Sequence, residues 1–255
     1  MIYLYDHSFE GFLTCVYHHW YTGKAEGVFP ECDYQLDLCR YAMTVETDEG
    51  KAGRVLDAIT EKISKWDARR VYQVFCSNEP EKEMKLLRYI EFGFKSGSKI
   101  RLLHGDPVVK AVEAAERRVG AEVHRMCGLI RFSEVQDSGG NLLLYAKLEP
   151  DNDILEFLAP HFSDRFKSEP IIIHDLRREK ALFSYQRKWE IAPLEKNIND
   201  AAEASLLEAT DDEQSYSQLW KQYFEVMATR ERTNPRCQRQ FMPARYWKHL
   251  TEVGG

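Results

Sequence analysis

The stretch Asp106–Met126, DPVVKAVEAAERRVGAEVHRM, predicts the most strongly patterned helix of the chain. Its apolar residues recur every three or four positions, which places them on one face of an α-helix. Asp106 followed by Pro107 is typical of a helix start, because the fixed φ of proline suits the first turn. The predicted apolar stripe consists of Val108, Val112, Ala115, Val119, Val123 and Met126. We therefore expect an amphipathic helix with one buried face.

Shorter helices and strands are predicted on the N-terminal side of this helix. Alternating residues indicate strands at Ile2–Tyr5 and Tyr41–Glu46. Ser8 is a typical N-cap for a helix from about Glu10 to Tyr21, and Thr47 or Asp48 for the next one. That second helix is expected to carry Val55, Ile59, Ile63 and Trp66 on one face, and Pro80 predicts a third helix start.

On the C-terminal side the pattern changes to shorter elements. A turn rich in Asp, Ser and Gly separates Leu129–Val135 from Leu142–Leu148, which predicts a hairpin. The remaining predictions are a helix from Asn152, interrupted or restarted at Pro160, strands at Ile171–His174 and Ala181–Tyr185, and helices near Asp200–Ala209 and Asp212–Thr229. We predict an α+β fold of mixed helices and short antiparallel strands, in one large or two closely packed domains. A division near residue 100 separates an N-terminal α/β part, residues 1–100, from residues 101–255.

Composition limits the class of protein. The chain has 255 residues, of which 44% are apolar, as expected of a folded globule. No apolar run is long enough to cross a bilayer, and the opening MIYLYDHSF lacks a signal-peptide core, so we expect a cytoplasmic protein without membrane contact. The six cysteines form no CxxC pair and are expected to be reduced thiols.

One basic segment stands out from this acidic chain. Residues Arg230–His249, RERTNPRCQRQFMPARYWKH, carry five arginines and one lysine against one glutamate, whereas the whole chain has a net charge of −6. We call this segment the basic arm. Pro235 and Pro243 argue against one unbroken helix in it. The preceding stretch Glu195–Glu213 holds seven acids and one lysine, which either shield the arm or form a solvated helix face.

The basic arm has the composition of a nucleic-acid contact. Arginine forks suit bidentate contact with phosphate, and aromatic rings offer faces to nucleobases. The alternative is a terminal arm whose arginines pair with acids of the same chain. The predicted nucleic-acid-binding residues are Arg230, Arg232, Arg236, Arg239, Arg245, Tyr246, Trp247, Lys248 and His249.

Three central stretches place ionisable groups beside apolar anchors. Histidine transfers protons near neutral pH, and a neighbouring aspartate can orient it. The candidate catalytic residues are His124, His161, Asp164, His174 and Asp175. The alternative is that these residues have only local structural roles, with Asp175 beginning a turn and Asp164 forming an ion pair with Arg165.

Metal and cofactor signals are weak in the sequence. His18 and His19 are adjacent, and His124 with Cys127 has no matching pair elsewhere. There is no glycine-rich phosphate loop, HExxH motif or nucleophile elbow. We therefore expect neither a metal nor a standard cofactor.

Several stretches together resemble a bacterial family known only as "probable DNA metabolism protein". They are YDHSFEGF (5–12), EVHRM (122–126) with Arg131-Phe132, PHFSDRF (160–166), IIHD (172–175) and NPRCQRQFMPARYWKHL (234–250). His7 stands where the family has glycine, and Cys127 where it has lysine. The resemblance implies a DNA-repair setting beside a radical SAM protein for DNA modification or repair, and a uracil-DNA glycosylase-like protein as a further partner. It assigns no catalytic residue.

Three functional hypotheses follow. The first is a DNA-binding accessory protein that acts with the radical SAM enzyme, which would supply the cofactor chemistry. The second is a nucleic-acid-processing enzyme that uses the central His, Asp and Arg residues. The third is a protein–protein clamp that does not bind DNA.

Overall fold

The computed structural model describes residues 1–35, 41–136, 140–194, 208–209, 218–222 and 234–252. Helices and strands are mixed along the chain, which confirms the predicted α+β class. The chain forms two compact units, Met1–Gly120 and Ala121–Gly255, which we call unit 1 and unit 2. In the part that the structure describes, no helix is both long and apolar enough to cross a membrane.

Unit 1 combines a small parallel sheet with helices. Its elements are β1 (Ile2–Tyr5), α1 (Phe9–Tyr21), β2 (Gly27–Pro30), a 3-10 turn (Glu31–Asp33), β3 (Ala42–Thr44), α2 (Glu49–Lys62), α3 (Lys65–Phe75), α4 (Lys82–Ser96), a second 3-10 turn (Gly97–Leu102) and α5 (Pro107–Leu129), whose last turns belong to unit 2. The sheet has the order β2-β1-β3, with both pairings parallel. All four residues of β1 are buried, as expected of a central parallel strand.

Local signals explain most of the helix boundaries in unit 1. Ser8 caps α1 and Asp48 caps α2, each by accepting a backbone N–H three residues ahead. The predicted single helix through Ile63 and Trp66 is wrong. Helix α2 ends at Lys62, Ser64 caps α3, and the side chain of Trp66 is exposed.

The stripe of α5 is confirmed for four of its six predicted residues, whereas Val108 and Val123 are only partly buried. Val112, Ala115, Val119 and Met126 are buried as predicted. Val109 rather than Val108 is fully buried in the first turn. The spacing therefore fixed the face of the helix, but not which of two adjacent valines begins it.

Unit 2 is built on a six-stranded sheet. Its elements are the end of α5, β4 (Ser133–Gln136), β5 (Leu142–Leu148), α6 (Leu155–Arg165), β6 (Ile171–Asp175), β7 (Lys180–Tyr185), β8 (Lys188–Pro193), β9 (Glu208–Ala209), α7 (Pro235–Phe241) and a 3-10 helix (Ala244–His249). The strand order is β8-β7-β6-β5-β4-β9. Only β5 and β6 pair in parallel, because α6 carries the chain from one to the other.

Several sequence predictions in unit 2 need correction. The β4–β5 hairpin begins later than predicted, because α5 continues to Leu129. Helix α6 runs through Pro160 without a break, since its buried face outweighs the one backbone hydrogen bond that proline removes. Glu208–Ala209 is a strand and not the end of a helix, whereas the rest of the predicted helix before it lies outside the described residues. The arm forms two short helices on either side of Pro243, as expected.

The two compact units meet in the sequence at residue 120, and the domain boundary near residue 100 stays a prediction. Strand β8 had no clear signal in the sequence.

His7 has a φ of 68°, in the left-handed region that favours glycine. The backbone turns there between β1 and the N-cap Ser8, so a glycine at this position would avoid the steric cost that a Cβ carries.

We expect His7→Gly to raise the free energy of unfolding by about 0.5–1 kcal/mol, because it removes the left-handed penalty on a residue with a Cβ. His7→Ala keeps the Cβ and serves as the control, so it should give no gain. Urea unfolding of the three proteins measures the difference. A His7→Gly variant no more stable than His7→Ala would show that the turn is not strained.

Candidate functional site

The carboxylate of Glu122 is the centre of a buried hydrogen-bond network in unit 2. Glu122 is 1% exposed and lies on α5. Its oxygens accept the backbone N–H of Asp151 at 2.9 Å, the backbone N–H of Asn152 at 2.9 Å and the amide Nδ2 of Asn152 at 2.6 Å. The hydroxyl of Tyr246 donates to the same carboxylate. Burial would raise the pKa of Glu122, but these hydrogen bonds outweigh it and lower the pKa, so the group is ionised.

This network holds the C-terminal end of the basic arm in place. Tyr246 is buried, and burial together with its bond to Glu122 raises its pKa, so the hydroxyl keeps its proton. Arg245 donates to the Tyr246 oxygen and forms an ion pair with Asp151, both at 2.8 Å. Trp247 Nε1 donates to the Met242 carbonyl at 2.9 Å, which closes the turn after α7.

Four basic side chains line one cleft in unit 2. They are Arg131, which follows α5, Lys147 on β5, and Lys248 and His249 in the last 3-10 helix. The cleft has a volume of about 250 Å³, and the hydroxyl residues Ser133 and Thr251 also line it. No carboxylate residue is among those that line this cleft in the described part of the chain. We call it the cationic cleft.

Arg131 is fixed in the cleft wall. Its Nη2 and Nε donate to Glu252 at 2.6 and 3.3 Å, while Nη1 donates to the Gly128 carbonyl at 2.9 Å. Burial would raise the pKa of Glu252, but the bonds from Arg131 and from Trp220 Nε1 lower it. The guanidinium therefore cannot swing away, and a planar cation is held at the rim of the cleft.

The other side of the cleft is more adaptable. Lys248 forms an ion pair with Glu149 at 2.5 Å, but its side chain is 53% exposed, and such surface pairs contribute only about 0.2–1 kcal/mol. His249 Nε2 has no hydrogen-bond partner among the described residues and lies 3.6 Å from Glu149 Oε1. Burial and the charge of Lys248 lower the pKa of His249, so it is neutral near pH 7. An anion in the cleft would compete with Glu149 for these two side chains.

The first half of the arm differs from the second. Arg236 and Arg239 are exposed on α7, three residues apart, and neither has an ion-pair partner within the described residues. Phe241 is also exposed, whereas Arg245 and Tyr246 are bound within unit 2. Arg230 and Arg232 lie outside the described residues. The arm therefore combines an exposed basic helix with a docked end.

The five candidate catalytic residues occupy different surroundings. His124 is exposed on α5, and His161 is exposed on α6. Asp164 is exposed and lies 3.7 Å from Lys167 and 3.5 Å from Arg187. The side chains of these three residues therefore lie on the protein surface.

His174 and Asp175 are both buried at the end of β6, where adjacent side chains point to opposite faces. Asp175 accepts the backbone N–H groups of Arg177 and Arg178 and pairs with Arg178 at 2.9 Å, so it shapes the turn into β7. His174 Nε2 lies 3.1 Å from the Leu194 carbonyl, and its Nδ1 lies 2.8 Å from the Tyr145 hydroxyl. This geometry fits a histidine that orients Tyr145, a wall residue of the cationic cleft. A catalytic role for the five residues stays a prediction.

Sequence reasoning missed the residues that build the cleft. Glu122 and Arg131 lie in stretches that the resemblance includes, but neither was a candidate site residue, and Lys147 was not singled out. The signal for Lys147 was present, since it interrupts the apolar strand LLLYAKL on the same side as Tyr145. Glu122 had no such signal, because an acid beside an apolar stripe is usually solvated.

Within the described ranges, no group of three or more His, Cys, Asp or Glu side chains could hold a metal ion. The side chains that line the cleft bring basic groups and hydroxyl groups together.

Comparison with known families gives one result. The model of a domain of unknown function, DUF4130, matches residues 80–252. The match covers more than half of the chain and includes Glu122, the cationic cleft and the docked end of the arm. No curated protein matches the chain.

We expect Tyr246→Phe to lower the free energy of unfolding by about 1.5–3 kcal/mol, because it removes a hydrogen bond to a buried charged group. Tyr185→Phe is the matched control, since Tyr185 is 51% exposed and should change stability by less than about 0.5 kcal/mol. Urea unfolding at pH 7 gives both values. Equal stability of the two variants would mean that Tyr246 does not anchor the arm.

Proposed function

This chain belongs to the DUF4130 family, whose function is unknown, and we propose that it binds DNA by holding backbone phosphates in the cationic cleft. The observation that carries the proposal is the convergence of Arg131, Lys147, Lys248 and His249 on one concave site. Phosphate contacts of this kind supply most of the affinity of proteins for nucleic acid.

The chemistry of the cleft supports this occupant. Arg131 holds a fixed positive charge at the rim of the cleft while its Nε and Nη2 donate to Glu252, and Lys248 offers a mobile point charge. Ser133 and Thr251 add hydroxyl groups of the type that commonly donate to phosphate oxygens. The chain as a whole has a net charge of −6, which disfavours non-specific coating of DNA over its whole surface and favours a local contact.

The exposed part of the basic arm extends the same interaction. Arg236 and Arg239 share one side of α7, whose C-terminus leads through Met242 and Pro243 into the docked end. Arg245 and Tyr246 then serve to hold the arm in place. Trp247 is tied by its indole N–H and supports the turn.

We further propose an accessory role in DNA repair or modification, beside a radical SAM enzyme. The basis is the resemblance of five stretches to the family of DNA metabolism proteins, together with the fact that the cleft offers positioning groups. In this division of work the present chain holds the DNA and its partner supplies the radical chemistry. A uracil-DNA glycosylase-like protein would be a second partner of the same complex.

The salt dependence of DNA binding tests the cleft. We expect the logarithm of the affinity to fall linearly with the logarithm of the salt concentration, with a slope of about −0.9 per phosphate neutralised on duplex and about −0.7 on a single strand. Lys147→Ala and Lys248→Ala should each reduce that slope by about one such increment. Fluorescence anisotropy between 50 and 200 mM salt, roughly the range over which such contacts weaken strongly, measures it.

Lys167→Ala is the matched control, because Lys167 is an exposed lysine of unit 2 that does not line the cleft. It should leave the slope unchanged. Binding that is flat with salt, or equally weakened by all three substitutions, would contradict phosphate binding in the cleft.

The accessory role predicts a complex. The purified chain and the neighbouring radical SAM enzyme, mixed at micromolar concentration, should elute together in size-exclusion chromatography, more strongly when an oligonucleotide is present. Separate elution with and without DNA would leave the DNA-binding proposal standing and remove the partnership.

A further inference from the structure

A second cavity opens in unit 2 at the end of the six-stranded sheet. It has a volume of about 350 Å³, within the range of small-molecule sites of roughly 300–1,000 Å³. Its wall includes Ile172, Phe183, Tyr185 and Trp189, with Lys188 and Glu190 as charged members. Tyr185 and Trp189 are 51% and 40% exposed, so their rings are accessible to a ligand. We call this the aromatic cavity.

The hairpin that forms one side of the cavity is strained. Gln186 and Arg187 connect β7 to β8 with φ values of 51° and 63°, a two-residue turn normally made by Asn-Gly. The turn sets Tyr185 directly opposite Lys188 in the register of the two strands. Strained turns of this kind persist where the surrounding structure fixes them, and they cluster at binding sites.

The aromatic cavity and the cationic cleft are lined by paired residues of neighbouring strands. Tyr145 lines the cleft, and its neighbour in the adjacent strand, Ile172, lines the cavity. Ile172 is in turn paired with Phe183 on the next strand. Adjacent strands are about 4.8 Å apart, so Tyr145 and Phe183 are separated by about 10 Å. A nucleic-acid strand can reach from one site to the other within a few nucleotides.

We infer that the aromatic cavity takes an unpaired nucleobase of a strand whose phosphates lie in the cationic cleft. The inference rests on the proposed function and narrows its substrate to single-stranded DNA or an extruded nucleotide. Aromatic rings stack on bases of any sequence, and Lys188 and Glu190 supply a donor and an acceptor for the polar edge of the base. The cations of the adjoining cleft favour this occupant over an apolar peptide.

The test compares oligonucleotides of equal charge. A single-stranded oligothymidylate and an oligomer of abasic nucleotides of the same length carry the same phosphates and differ only in their bases. We expect the first to bind about 5- to 150-fold more tightly, as one stacked base contributes about 1–3 kcal/mol. An intact duplex of the same length should lack this gain.

Substitutions in the cavity should remove the difference. Tyr185→Ala and Trp189→Ala should bring the affinity for oligothymidylate towards that for the abasic oligomer, and should leave the salt slope unchanged. Trp66→Ala, which removes an exposed aromatic residue of unit 1, is the matched control.

The outcomes separate the two proposals. Equal, salt-dependent binding of both oligomers would overturn the base site while the phosphate site stands. Salt-independent or undetectable binding of both would overturn the proposed function and the base site together. A change in oligomeric state on Tyr185→Ala, with unaltered affinities, would identify the cavity as a contact between two copies of the chain and overturn the inference.

Discussion

The hydrogen bonds around the Glu122 carboxylate are the constraint on which the arrangement of unit 2 depends. A buried carboxylate is stable only if donors surround it, and here the donors come from the turn at residues 151–152 and from Tyr246. One side chain of α5 thereby fixes both the loop after β5 and the end of the basic arm. Lys248 and His249 lie two and three residues after Tyr246, so the position of two cleft residues depends on this single buried group.

The charges of the cleft are arranged in two ways. Arg131 is held by Glu252 and by backbone carbonyls, which gives a fixed cation whose orientation does not have to be selected on binding. Lys248 and His249 share Glu149, an arrangement that an incoming phosphate can displace at little cost. A rigid guanidinium beside an exchangeable lysine and a neutral histidine therefore combines orientation with adaptability.

The sequence predicts the parts of this protein that are governed by local rules. The stripe of α5, the caps Ser8 and Asp48 and the strands Ile171–His174 and Ala181–Tyr185 follow from spacing and from side-chain hydrogen bonding, and the structure has them. The break at Ile63 was missed, because Ser64 as a cap competes with an apolar period that continues past it.

The candidate site was only partly accessible from the sequence, since it depends on contacts between distant residues. The basic composition of the arm pointed to Lys248 and His249, but Arg131 and Lys147 reach the same cleft only through the pairing of strands and the end of α5. Glu122 and Tyr246 are 124 positions apart, and nothing in their local sequence marks them as partners. The histidine and aspartate candidates were chosen for their chemistry alone. In the structure, Asp175 accepts a backbone hydrogen bond in the turn after β6, and His174 contacts the hydroxyl of Tyr145.

Chemical footprinting of lysines tests the central claim most directly. The chain is acetylated at low salt with and without a single-stranded oligonucleotide, and each lysine is followed by mass spectrometry. Lys147 and Lys248 should be protected by the oligonucleotide, with recovery of their reactivity at high salt, while Lys167 and Lys95 react equally in both samples. Equal modification of Lys147 and Lys248 with and without the bound oligonucleotide would contradict phosphate binding in the cationic cleft.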